Sequence, residues 1–426
     1  MKIVIIGGGF AGINVARALG NDKRFEIILV DKNNYNFFPP LIYQVATGFL
    51  EPSSISYPFR KLFRGLKSVK FRLGYLQRVI PEENKVILSS GELTYDYLIF
   101  ATGAKTNYFG NENLKHNAIA MKTLDDALEM RNKLLRQMEQ ASVIEDSYQL
   151  TKLLTIVIAG GGPTGVELSG MFAEMRNGIL KKEYPELIGK GGDIYLITSA
   201  GELLSPMSEK SQKDTYDQLR KLGVKIRLQC RVKDFVDDKV VLSNDETIST
   251  KNLIWAAGVT GKLFDGLLAE SYGRGSRLAV DEYNKVNATE NIYAVGDICL
   301  QLTDPDFATG HPQVAQVAIQ QGRQLAKNFR LMIEGKPLKP FRYTDKGSMA
   351  IIGRMKAVAD LPKPKMHFNG TIAWFAWLFV HLISLITKKN RFRTLFNWMV
   401  AYFTKDQSLR MIFKPSWNKY TDEDKK

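Results

Sequence analysis

Gly7, Gly9 and Gly12 stand in GxGxxG spacing, and Gly160, Gly162 and Gly165 repeat that spacing 153 residues later. The first glycine of such a triplet permits a tight turn. The second lets the backbone approach a pyrophosphate, and the third lets a helix pack close to its strand. The chemistry served is dinucleotide binding, with phosphates held by the free N–H groups and the positive end of a helix. A triplet alone is weak; the flanking pattern gives it weight. Residues 1–6 form a β-branched run, residues 13–19 read as helix, and residues 25–30 (FEIILV) read as a second strand. That strand ends at Asp31, placed to accept from a ribose 2′-hydroxyl. The second unit has the same build: strand 153–159, helix 166–176 and strand 193–198. Thr198 and Ser199 stand where its acid would be. The repulsion that excludes a 2′-phosphate is then missing, yet no arginine adjoins Thr198 in sequence. NADH is the expected co-substrate, and NADPH is not excluded.

Two dinucleotide folds imply two dinucleotides, a tightly held noncovalent flavin and a diffusing nicotinamide. Three further strands end in small-residue turns: 95–107 at Ala101-Thr102-Gly103, 252–261 at Ala256-Ala257-Gly258, and 291–302 at Gly296-Asp297. The fold class is α/β, with two Rossmann-like dinucleotide-binding domains and a C-terminal membrane-associating helical region. The predicted FAD domain is split, residues 1–115 and 283–332. The nicotinamide domain is 116–282, and the C-terminal region is 333–426. An amphipathic helix over 122–141 enters the insert, with Leu124, Ala127, Leu128, Leu134, Leu135 and Met138 at helical spacing. The lysine-rich 180–192 reads as loop and surface.

The oxidant is constrained by what is absent. Cys230 and Cys299 are the two cysteines, 69 residues apart. That spacing offers neither a disulfide framework nor a redox pair, and it argues against disulfide-reductase and sulfide-oxidising chemistry. Residues 33–52 are rich in aromatics and prolines. Residues 309–329 carry Gln316 and Gln320, four apart and so on one helix face among Ala, Val and Ile. Two amides on an apolar face could bond the carbonyls of a quinone, or could cap neighbouring backbone.

The motifs IIGGGFAG, FFPPLIYQVATG, ATGAKTN, GGGPTGVEL, AAGV, AVGD and above all AQVAIQQG are similar to those of the type II NADH dehydrogenases. These are single-subunit, non-pumping NADH:quinone oxidoreductases, and the resemblance covers nearly the whole chain. It implies that FAD is held by Gly7, Gly9, Phe10, Ala11, Gly12, Asp31, Lys32, Ala101, Thr102, Gly103, Gly296, Asp297 and Gln316. NADH would lie on Gly160, Gly162, Pro163, Thr164, Gly165, Glu167, Thr198, Ser199, Ala257 and Gly258, and the quinone near Pro40, Tyr43, Gln44, Gln316 and Gln320. Glu167 is the candidate in proton delivery: a helix N-terminus favours its anion, whereas burial would raise its pKa. His311 and Gln313 depart from the family, where small residues are more usual. No metal site is assigned.

The chain carries a net charge of +15. Part of it lies after the apolar stretch 370–387, which includes Trp374, Trp377 and His381 but falls short of the roughly 20 residues that span a bilayer. There Lys388, Lys389, Arg391 and Arg393 interleave with Phe392, Phe396, Trp398, Tyr402 and Phe403, the pattern of a helix lying in a membrane interface. A lipid-soluble quinone agrees with such an anchor. The expected placement is peripheral, on the cytoplasmic face of a membrane, with a homodimer left open. Residues 1–6 run directly into a strand, so no signal peptide is expected. Aromatics grouped in apolar runs, without a nucleic-acid motif, argue against nucleic-acid binding. The rival readings are a reductase of ferredoxin or of a small molecule, and a low-turnover nucleotide-binding sensor.

Overall fold

The computed structural model describes residues 1–178, 180–404 and 409–412. The expected basic tail therefore lies partly outside the described residues. Two parallel sheets of five described strands dominate. Strands β1 (Lys2–Ile6), β2 (Glu26–Asp31), β3 (Val69–Leu73) and β4 (Tyr97–Phe100) begin the first sheet. Strands β5 (Ile119–Ala120), β6 (Ile156–Ala159), β7 (Ile194–Ile197), β8 (Val224–Arg227) and β9 (Asn252–Trp255) make the second. Strand β10 (Ile292–Ala294) returns to complete the first. The orders are β10-β4-β1-β2-β3 and β5-β9-β6-β7-β8, so the repeat in sequence is also a repeat in topology. Each glycine turn leaves the central strand of its sheet and enters a helix, α1 (Phe10–Leu19) in the first case. An antiparallel three-stranded meander, of residues 76–94 and 232–249 respectively, occupies the same place in each repeat.

The remaining helices used below are α2 (Leu124–Ser142), α3 (Pro163–Gly178), α4 (Ala315–Ile333), α5 (Gly370–Ser384) and α6 (Lys388–Thr404). Helix α2 starts at a capping box in which Thr123 and Asp126 satisfy each other's backbone N–H. Its buried stripe includes Leu124, Ala127 and Leu135, as predicted, while Leu128, Leu134 and Met138 are half-buried. Strand β6 begins later than the sequence pattern suggests, because Leu153 and Leu154 close a preceding helix, Ser147–Leu154. The stretch 180–192 is not wholly surface either: Tyr184 and Leu187 bury with Ala141, Leu150 and Leu153.

The chain resolves into two compact units whose bounds differ from those expected. The first holds Met1–Phe37, Ser56–Asn107 and Val259–Lys346. The second holds Phe38–Ile55, Tyr108–Gly258 and the chain from Gly347 onward. The second sheet shares its unit with residues up to Gly258. The C-terminal region joins the nicotinamide sheet in one unit, and residues 38–55 go with it. The packing gives the reason. Strand β11 (Ser348–Gly353), which starts an antiparallel sheet with β12 (Lys356–Leu361) and β13 (Met366–Asn369), lies against α3. At Gly170 a Cβ would stand 1.8 Å from the Ile352 carbonyl oxygen, so only glycine lets α3 lie directly on β11. Asn390 of α6 bonds the Ser53 and Ser54 carbonyls, which ties residues 52–55 to the C-terminal helices.

Candidate functional site

In the first unit the β1–α1 turn forms a cradle. Gly7 has φ +107°, and a Cβ there would sit 2.3 Å from the Ala101 carbonyl oxygen. At Gly12 a Cβ would meet the Gly7 carbonyl at 2.0 Å. Gly9, by contrast, has no atom within 4 Å of its would-be Cβ, so the helix start is open for a phosphate to approach. Asp31 accepts from Gly8 N at 2.6 Å with one oxygen and from Asn33 N at 2.8 Å with the other. Each oxygen keeps a second lone pair for a ribose hydroxyl. Burial raises this carboxyl's pKa, against the lowering by the Asn33 and Gly8 N–H groups. The Thr102 hydroxyl beside the cradle is buried and has no bonding partner among the described residues. A buried hydroxyl of this kind calls for an outside partner, and the open helix start and the Asp31 acceptor complete a set that fits a flavin dinucleotide.

The Gly296-Asp297 turn is clamped from two sides. Gln321 accepts from Gly296 N at 2.7 Å, and Gln313 donates to the Asp297 carbonyl at 2.9 Å. Sequence reasoning did not assign either amide. Gln321 lies within the quoted AQVAIQQG motif, and Gln313 appeared only as a departure. Phe59 was likewise missed: its ring fills the space that a Cβ at Gly8 would need. Of the two predicted amides on α4, Gln316 accepts at Oε1 from Lys346 N at 3.1 Å and from the Tyr343 hydroxyl at 3.4 Å. The Gln320 amide donates to Thr344 O at 2.9 Å and accepts from Thr344 N at 3.1 Å, so it staples backbone at both ends.

In the second unit the glycine turn repeats the first. Gly160 has φ +120° and abuts the Ala256 carbonyl, Gly165 abuts Gly160 O, and Gly162 is open. Thr198 packs on Gly161 and accepts from Ala200 N, while Ser199 is exposed. An arginine does lie beside Thr198 in space. Thr198 N bonds Arg227 O on the neighbouring strand β8, and the Arg227 guanidinium is held bidentate by Glu246 at 2.9 and 3.0 Å. Strand neighbours are invisible in linear order, which is why it was missed.

Glu167 is the fifth residue of α3, one turn past the helix start that was expected to favour its anion. It is buried, and burial drives its pKa well up, against the lowering by the Ile351 N–H. The Trp377 indole faces the carboxyl without closing a hydrogen bond of good geometry. Tyr43 and Gln44 are 1% exposed. Gln44 is spent internally, donating to the Tyr43 hydroxyl at 3.1 Å and accepting from Trp398 Nε1 at 2.8 Å. It therefore ties the Tyr43 hydroxyl to the Trp398 indole within the core. Burial raises the Tyr43 phenol's pKa well above normal, and the nearby Glu167 carboxyl adds to this. Pro40 is half-buried. The structure thus gathers Tyr43, Gln44 and Glu167 in one unit, and Gln316 and Gln320 with the FAD cradle in the other.

The pyridine nucleotide-disulphide oxidoreductase family model matches residues 1–322, and the NDH2 C-terminal domain model matches 346–406. The cysteine pair implied by the first description is absent, since Cys230 and Cys299 are free and buried. The type II NADH:quinone oxidoreductase NdhA of Mycobacterium tuberculosis is 34% identical, over 94% of this chain and 87% of its own length. The type II NADH:quinone oxidoreductase of Haemophilus influenzae is 26% identical, over 92% of this chain and 98% of its own. The structure of NDH2 from Plasmodium falciparum in complex with NADH shares the fold, with a TM-score of 0.87 at 23% identity over 97% of this chain and 99% of that one. Two dinucleotide folds, an NDH2-type C-terminal region and relatives aligned over most of both chains have one reading: this chain belongs to the type II NADH:quinone oxidoreductases, flavoenzymes that use FAD to pass electrons from NADH to a quinone.

Proposed function

We propose that the chain does this work on the cytoplasmic face of a membrane, with Glu167 as the proton-delivering acid and Gln316 as the amide that contacts flavin and quinone. A bound flavin would supply the site that takes up hydride from NADH and passes two electrons to the quinone. The Gly7–Gly12 turn, Asp31, Thr102 and Asp297 would hold it, and the Gly160–Gly165 turn would hold NADH. The observation that carries the proton role is Glu167 itself, a buried carboxyl whose desolvation drives its pKa well above the ordinary value. Quinone reduction consumes two protons, and a carboxyl with a raised pKa is a fitting donor.

Membrane placement rests on the C-terminal helices. No helix among the described residues is long and apolar enough to cross a bilayer. Yet α5 exposes Ile372, Phe375, Phe379 and Ile383, and α6 exposes Phe392, Leu395, Phe396 and Met399. Lys388, Lys389 and Arg393 are exposed beside them. Apolar side chains with a basic fringe suit insertion into an anionic lipid surface. The aromatic assignment is narrower than the sequence suggested: Trp374, Trp377 and Trp398 are buried, Tyr402 packs against Phe49 and Trp374, and Arg391 donates to the Leu385 carbonyl. The deciding experiment follows flavin reduction by NADH and reoxidation by quinone separately in Glu167→Gln. Reduction at the parental rate with reoxidation slowed about 10²–10⁴-fold is expected; undiminished reoxidation would remove Glu167 from proton delivery.

A further inference from the structure

Strand β7 ends where a dinucleotide fold places the acid that receives a ribose 2′-hydroxyl, and this chain has Thr198 there. Strand β8 runs parallel beside it with Arg227 in register with Ile197. The two strands therefore end at one level, and Arg227 stands one strand spacing, about 4.8 Å, from the strand end that faces the ribose. Its guanidinium is turned back from that end. It lies over the Tyr195 ring, 5.7 Å from the centroid, two residues before Ile197. Glu246 grips it there with both oxygens: Nε donates to Oε2 at 3.0 Å and Nη2 to Oε1 at 2.9 Å. Glu246 closes the last turn of the 232–249 meander. Its carbonyl accepts from Leu242 N and its own N–H donates to Asn244 Oδ1, so the backbone under the carboxylate is fixed. The guanidinium holds the Glu246 carboxyl below its ordinary range, and the pair is about one-third exposed, at 36% and 33%. It thus sits at the rim of the fold, where the arginine has room to move.

We infer that Glu246 sets the preference for NADH over NADPH by holding Arg227 back from the ribose 2′ position. This rests on the placement of NADH on the Gly160–Gly165 turn proposed above. NADPH differs from NADH by a 2′-phosphate, and a carboxylate at the strand end would repel that group; Thr198 does not. A free arginine at this level of the sheet would attract it, since the guanidinium fork matches phosphate oxygens. Paired with Glu246, the arginine presents no net charge to that end, and two of its donor groups are occupied. Glu246 thereby does at one remove what an acid at position 198 would do directly. It is a positioning residue that acts through Arg227 and touches no reacting atom.

The test uses the purified holoenzyme with a short-chain quinone in excess and compares kcat/KM for NADPH and NADH. In Glu246→Gln the NADPH-to-NADH ratio should rise about tenfold, as one gained hydrogen bond to a charged group would produce. The gain should appear in the NADPH KM rather than in kcat, and it should shrink as salt is raised. Adding Arg227→Gln to Glu246→Gln should return the ratio to the parental value. Arg227→Lys keeps the charge but not the fork, loosens the same grip from the other side, and should raise the ratio about threefold. Arg231 is the control: it is exposed one residue past Cys230, whose N–H donates to Thr198 O at 2.9 Å. The inference is overturned if neither Glu246→Gln nor Arg227→Lys moves the ratio. It is equally overturned if the gain survives Arg227→Gln, or if Arg231→Gln abolishes it instead. Thr198→Glu tests the underlying placement and should raise the NADPH KM about tenfold. If it leaves the KM of both nucleotides unchanged, the nicotinamide site lies elsewhere and the selectivity role falls with it.

Discussion

At Glu167 two electrostatic effects compete. The N-terminus of α3 favours a carboxylate, but the dipole fades beyond the first turn, and the residue lies in the second. Desolvation among Tyr43, Trp377 and β11 wins and drives the pKa up. The sign for stability follows. An acid whose folded pKa is raised contributes fully below its unfolded value of 4.5 and loses that contribution as pH climbs toward the folded value. Glu167→Gln should therefore raise the melting temperature at pH 7–8, by about 2–4 °C per kcal/mol relieved, with the gap closing toward pH 4.5. Differential scanning calorimetry across that range checks it. His381 has the opposite sign. Stacked on Trp377 at 3.7 Å, its imidazole is pushed by burial down to about 4, from an ordinary 6.5. Its contribution is present above 6.5 and is lost as pH falls toward 4. A His381→Phe variant should therefore lose less stability than the parent on acidification from pH 6.5 to 4, measured by the same method.

The elements that matter are the two strand–turn–helix units, and a methyl group discriminates between them. A Cβ at Gly165 would stand 1.8 Å from Gly160 O, so Gly165→Ala must displace the start of α3 and spoil the nicotinamide phosphate site. NADH KM should rise by about tenfold or more while the protein stays yellow. Gly12→Ala should do the converse, with Cβ 2.0 Å from Gly7 O: flavin per polypeptide falls, as read from the visible to ultraviolet absorbance ratio. Equal loss of both cofactors in both variants would show that the repeats do not bind independently.

For the whole molecule, the consequence is attachment. Replacing Phe375, Phe379, Phe392 and Phe396 by Ser changes side chains that are largely exposed. The quadruple variant should stop floating with anionic vesicles, since each buried aromatic is worth about 1.5–3 kcal/mol. Its reduction of a water-soluble quinone analogue should persist. Parental binding should weaken as salt rises and screens Lys388, Lys389 and Arg393. Vesicle binding that survives the four substitutions would place the attachment surface elsewhere.

The sequence by itself determined the two glycine turns, the order of strands around them, the acid at Asp31, the exclusion of disulfide chemistry and the family. All of these are local: turn geometry and strand hydrophobicity are written in neighbouring residues. Only the tertiary structure decided how the amides are used. Gln316 and Gln320 share a helix face in the linear pattern, but Thr344 consumes Gln320, Trp398 consumes Gln44, and Gln321, left unassigned, clamps Gly296. It also decided that Arg227 neighbours Thr198, that the C-terminal region belongs with the nicotinamide sheet, and that His311 finds Asp304 in an aromatic shell. An amide or an imidazole can donate or accept in many directions. Which partner it takes depends on residues that reach it from elsewhere in the fold, and sequence spacing carries no record of those directions.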